Sequence, residues 1–119
     1  MPNETKEKYL KALQTAKKMI DDKFGTNIVM LDISNLSTLA DFFIIASANN
    51  SVQMKAIADA VDEALHKIGF KMKHSEGGSE SNWLLLDYSG LIIHLFTNEA
   101  REFYNLDELW ADAEVIEDA

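Results

Sequence analysis

Residues 82–97 read N-W-L-L-L-D-Y-S-G-L-I-I-H-L-F-T, two apolar runs of strand length on either side of the turn signal Tyr88-Ser89-Gly90. The pattern predicts a β-hairpin. Alternation then sorts its faces. Trp83, Leu85 and Asp87 point one way, and Leu84, Leu86 and Tyr88 the other. On the second strand Leu91, Ile93 and Leu95 share a face, with Ile92, His94 and Phe96 opposite. Neither strand has a plainly polar face, so both sides of the hairpin require cover.

The remaining chain supplies part of that cover. Tyr9, Leu13, Ala16 and Ile20 recur at helical spacing and predict a helix over 4–23, stopped by Gly25. Its outer face carries Lys8, Lys11, Lys17 and Lys18 mixed with acids, a solvated surface. Residues 27–33 read as a strand, 34–39 as a polar loop, and 41–47 (D-F-F-I-I-A-S) as an interior strand apolar on both faces. Asn50 or Ser51 caps a helix over 52–68, with Met54, Ile57, Ala58, Val61, Leu65 and Ile68 in one stripe and Gly69 at its end. A third strand over 70–74 completes a crossover unit, and 75–81 is a polar, glycine-bearing loop.

Asn98 is expected to cap a short helix with Glu99 in its first turn. Phe103, Tyr104, Leu106, Leu109 and Trp110 are expected to pack back on the domain, and 112–119 to form an acidic, frayed end. The sum is an α/β (α+β) single domain over 1–119, with a mixed sheet of about five strands and helices mainly on one face.

Composition narrows the function. A chain of 119 residues without cysteine has neither disulfides nor thiolate chemistry, and fits a cytoplasmic setting. No signal peptide or membrane-length apolar run is visible, so no membrane partner is expected. A net charge of -9 disfavours direct, sequence-specific nucleic-acid binding and suits a basic protein partner.

Candidate chemistry is thin. His66, His74 and His94 lack metal-ligand spacing, so no metal or other cofactor is expected; His94 reads as a hydrogen-bonded core or interface imidazole. Strand, polar turn and helix at 47–51 have the outline of a nucleotidyl-transfer site, but the turn has no glycine and no Asp-x-Asp pair follows. An enzyme using Asp32, Asp41 and Asp87 with a metal ion remains the alternative. Trp83 is either an ordinary core tryptophan or, beside Asp87 at a loop edge, an interface anchor with a charged rim.

Motifs spread along the chain carry a resemblance: L-D-I-S at 31–34, L-A-D-F-F-I-I-A-S at 39–47, K-A-I-A-D-A-V at 55–61, E-G at 76–77, W-L-L-L-D-Y-S-G at 83–90, I-H-L-F at 93–96 and R-E-F-Y-N-L-D-E-L-W-A-D-A at 101–113. The sequence resembles the Iojap family of ribosomal silencing factors. Family members usually have glycine where Ala48-Asn49 stands and commonly Asp where Ser89 stands. The resemblance implies a nucleotidyltransferase-like fold without the active site, hence no enzyme. It also implies a factor that binds the large ribosomal subunit through its fourteenth protein, blocks joining of the small subunit, and represses translation when nutrients are scarce. On this chain the expected contact is the open sheet face, with Trp83 as anchor, Leu85, Tyr88 and His74 extending it, and Glu76 and Asp87 as carboxylates for a basic partner. The same apolar face gives a homodimer as a further expected partner.

Overall fold

The computed structural model describes residues 2–38, 40–77 and 82–117, with side chains from Glu7 onward. The elements are α1 (Pro2–Asp22), β1 (Thr26–Asp32), β2 (Phe42–Ala48), α2 (Ser51–Lys67), β3 (His74–Glu76), β4 (Trp83–Asp87), β5 (Leu91–Thr97), α3 (Asn98–Tyr104), α4 (Leu106–Leu109) and β6 (Glu114–Val115). They form a six-stranded sheet in the order β3-β4-β5-β2-β1-β6. The β2–β5 pair is parallel and every other pair antiparallel.

Each face of the sheet supports its own core. On one side α1 and α2 bury Leu13, Ile20, Met54, Ile57, Val61 and Leu65 against Phe42, Ile44, Leu84, Leu86, Ile93 and Leu95. Full burial of such a side chain contributes about 1.5–3 kcal/mol. On the other side Ile33, Phe43, Ile45 and Phe96 lie beneath Ala100, Leu106 and Trp110 of the C-terminal segment. Strand β2 is buried along its whole length, as its two-sided apolar pattern predicts. The hairpin turn places Ser89 at φ 62° and Gly90 at φ 35°, matching the two positive-φ positions of a tight two-residue turn.

Four expectations change. The third strand lies at 74–76 rather than 70–74. Gly69, at φ 94°, donates to His66 O, and Phe70 N donates to Leu65 O, closing α2 with a Schellman-type cap. Phe70 is thereby drawn under α1, against Tyr9 at 5.4 Å. The end of the chain is not frayed at 114–116. Leu31 and Asp32 pair with Val115 and Glu114, and Ile116 N donates to Met30 O at 2.8 Å, adding a sixth strand. Residues 118–119 of the expected tail, Leu39, and 78–81 of the expected polar loop lie outside the described residues. Finally, Leu106 and Trp110 pack back as expected, but Phe103 and Leu109 are 80% and 72% exposed. The cap of α3 is Thr97, whose hydroxyl accepts from Ala100 N, rather than Asn98.

Candidate functional site

The second face of the sheet is only partly covered. α3, α4 and Trp110 lie over β5 and β2, leaving Trp83, Leu85 and Asp87 of β4 and Ile92 of β5 half-buried. Strand β3 extends this open area. His74 stands opposite Asp87 and Glu76 opposite Leu85. His74 Nδ1 lies 3.2 Å from Asp87 Oδ2 and its Nε2 3.1 Å from Glu76 Oε2, so the imidazole sits between the two carboxylates of the rim. A shallow depression lies beside Glu76, lined by Glu76, Gly77, Trp83 and Leu85. Gly77 is at φ 88°, and a Cβ there would collide with the Trp83 carbonyl oxygen; the close approach requires glycine.

Trp83 joins both expectations made for it. Its indole stacks on Phe96 at 5.2 Å and meets Tyr104 at 4.9 Å, which fixes its plane. Its Nε1–H donates to His94 Nδ1 at 3.2 Å. Burial pushes the His94 imidazole down to about 4, so the ring is neutral near pH 7. With Nδ1 accepting, the His94 proton resides on Nε2, a buried atom with no hydrogen-bond partner among the described residues. Phe43 meets the imidazole in a T-shaped contact at 4.7 Å, the geometry in which an N–H can face a π cloud. Trp83 is thus held from behind while the rest of its ring borders the depression.

Of the six residues expected at the contact, five share this face and Tyr88 does not. Tyr88 is 4% exposed on the helix side, where its hydroxyl donates to Asp62 Oδ1 at 2.7 Å. Burial, then the Asp62 hydrogen bond, raises its pKa. Tyr88→Phe is therefore expected to lower stability by about 1 kcal/mol while leaving any partner affinity unchanged, read by chemical denaturation and co-sedimentation.

No catalytic site is assembled by the three aspartates. Asp32 lies on β1, three strand spacings or about 14 Å from β4, which carries Asp87. Alternation also turns it to the opposite face. Asp32 Oδ1 instead accepts from Ser34 N and Oγ, and Asp87 Oδ1 from Ser89 N. Among the described residues no group of three His, Asp or Glu side chains could hold a metal ion. The turn before α2 also closes on itself: Asn50 Oδ1 accepts from Gln53 N, and Gln53 Oε1 accepts from Asn49 N. The Asn49 and Gln53 amides are thus taken up by protein groups rather than left for a phosphate.

Two features were not anticipated from the sequence. Arg101 donates to both carboxylate oxygens of Asp107 at 2.8 and 2.9 Å, and to Asn27 O and Ser47 Oγ, pinning α3 and α4 to β1 and β2. These bonds hold the Asp107 carboxyl below its usual range. The second is charge distribution. All ten lysines precede His74, whereas eleven carboxylates and the single Arg101 follow from there on. The chain's net -9 therefore belongs to the half that builds β3, β4, β5 and the C-terminal segment.

Comparison with known proteins bears on what this face serves. A family model described as "Ribosomal silencing factor during starvation" matches residues 5–119. The chain belongs to the ribosomal silencing factor (RsfS) family. It is 35% identical to the ribosomal silencing factor RsfS of Halalkalibacterium halodurans over 105 residues, 88% of this chain and 90% of that one. To RsfS of Bacillus subtilis it is 36% identical over 101 residues, 85% and 86% of the two chains. A crystal structure of a Chromobacterium violaceum protein superposes with a TM-score of 0.82 at 28% identity, over 86% of this chain and 85% of that one. RsfS is a regulatory rather than a catalytic family, in keeping with the dispersed aspartates. No helix among the described residues is long and apolar enough to cross a membrane.

Proposed function

We propose that this protein silences ribosomes by occupying the large subunit. It docks on the fourteenth protein of that subunit through the open sheet face, and its bulk then blocks joining of the small subunit when nutrients are limiting. The observation that carries this reading is a braced, half-buried indole beside an apolar floor, with carboxylates at its edge and, among the described residues, no side-chain group able to hold a metal ion. Trp83 and Leu85 supply the apolar centre, and Glu76 and Asp87, with His74 between them, supply the acidic rim. A central aromatic anchor inside a polar rim is the usual anatomy of a protein interface. No bond is made or broken. Silencing follows from mass action, since large subunits held by the factor are withdrawn in proportion to its concentration over its Kd.

The test is a sucrose-gradient assay with purified subunits. Added protein is expected to co-migrate with large subunits and to deplete the joined particle in a dose-dependent way; joined particles at full yield despite saturating protein would refute the reading. Calorimetry with ATP or CTP and magnesium is expected to show no binding heat.

Charge on the rim gives a second expected result. Glu76 is exposed, so Glu76→Lys leaves the fold intact and places a cation before a basic partner. Affinity is expected to fall about three- to tenfold, chiefly through slower association. Raising ionic strength from 0.1 M toward 1 M shortens the screening length from about 10 to about 3 Å. It should weaken the unaltered protein more than the variant. Equal salt dependence of the two would take Glu76 out of the contact.

A further inference from the structure

The apolar surface does not stop at Trp83. Tyr104 of α3 is 48% exposed and its ring lies 4.9 Å from the indole, while Phe103, 80% exposed, meets Tyr104 edge-on at 5.1 Å. Leu85, Trp83, Tyr104 and Phe103 therefore form one strip that leaves the sheet and continues over α3. Phe103 has little burial within the fold to account for it. The strip is also rigid. Thr97 caps α3, the Arg101 bonds anchor it to β1 and β2, and Asn105, at φ 49°, turns the chain sharply into α4. A preformed surface avoids the ordering cost of a flexible one.

We infer that α3 is the second half of the docking surface, with Phe103 and Tyr104 engaging the same basic, apolar-centred protein face that Trp83 engages. This inference rests on the docking function proposed above and names a contact element that the sequence reading assigned to the core. Charge selects the occupant. Exposed Glu99 and Glu102 accompany the strip on α3, and the cation beside them, Arg101, is already committed to Asp107. A second copy of this chain, joined by a two-fold axis, would set these carboxylates against themselves, a like-charge arrangement that disfavours docking. A basic face has the opposite effect.

The experiment compares the unaltered protein, Phe103→Ser, Phe103→Trp and Trp83→Ala by co-sedimentation with large ribosomal subunits, with sedimentation velocity on the free proteins. Phe103→Ser is expected to melt like the unaltered protein and to bind about tenfold more weakly. Phe103→Trp, which keeps the apolar area, is expected to retain binding. If Phe103→Ser binds normally while Trp83→Ala does not, the role of α3 falls and the docking function stands. If both bind normally, the open sheet face is not the docking surface, and the proposed contact falls together with the role of α3. A Phe103→Ser change that abolishes a dimer but leaves subunit binding unaltered assigns the strip to a second copy and overturns the inference.

Discussion

Trp83→Ala is expected to weaken binding to large ribosomal subunits by about 30- to 1,000-fold, equivalent to about 2–4 kcal/mol. The size follows from the position of the indole at the boundary between core and open face. Removing it deletes the largest apolar group beside the depression and leaves Tyr104 unsupported on that side. It also uncovers Phe96, which is otherwise fully buried, and strips buried His94 Nδ1 of its donor. An unpaired buried acceptor costs about 1–3 kcal/mol, so stability falls with affinity. Two controls separate the effects. Binding is measured where circular dichroism reports the variant folded, and Trp83→Phe keeps the stacked ring while losing the N–H. Trp83→Phe is expected to lose stability and retain most of the affinity. Unchanged co-sedimentation of folded Trp83→Ala would remove this residue from the contact surface.

Features determined by near neighbours were legible in the sequence. Strict alternation at 83–88 and 91–96 assigned both hairpin faces correctly, and the stripe from Met54 to Leu65 identified the buried side of α2. The same alternation already grouped Tyr88 with Leu84 and Leu86. Including Tyr88 in the contact went against the available signal, and its bond to Asp62 reflects the face that alternation gave it. Other features depend on distant partners. The run at 70–74 is apolar enough for a strand, but Gly69 at positive φ and the bond from Phe70 to Leu65 convert its start into a helix cap. A two-residue strand such as β6 has no period to detect; it exists because β1 offers an edge. Seven residues of α3 are too few to show which aromatic side faces water. The anchoring role of Arg101 required Asn27, Ser47 and Asp107 to converge from three other parts of the chain.

Acid is expected to act on the same site from behind. His94 is 5% exposed, its Nδ1 accepts from Trp83, and burial lowers its pKa from 6.5 to about 4. The unfolded chain binds a proton at this residue near pH 6.5, whereas the folded chain does not until about pH 4. Above pH 6.5 both states are neutral at His94, and its contribution to stability is constant. Between about 6.5 and 4 the unfolded state holds more protons, so stability falls as pH falls, by about 3 kcal/mol across the window. Below it both states are protonated and this loss levels off. Asp107 acts lower on the scale: Arg101 depresses its pKa below 3.8, so its stabilisation is present above that value and is lost as pH falls through the folded one. Urea denaturation at pH 7 and pH 4.5 isolates the histidine. His94→Gln stays neutral throughout and keeps an oxygen that can accept from the indole, so its loss of stability between these pH values is expected to be smaller by about 2–3 kcal/mol. An equal loss in both proteins would show that His94 does not carry the effect. Protonation also converts Nδ1 from acceptor to donor, opposing the Trp83 N–H that now points at it. The acid window that loosens the fold is therefore expected to loosen the indole first, and subunit binding should decline before circular dichroism records unfolding.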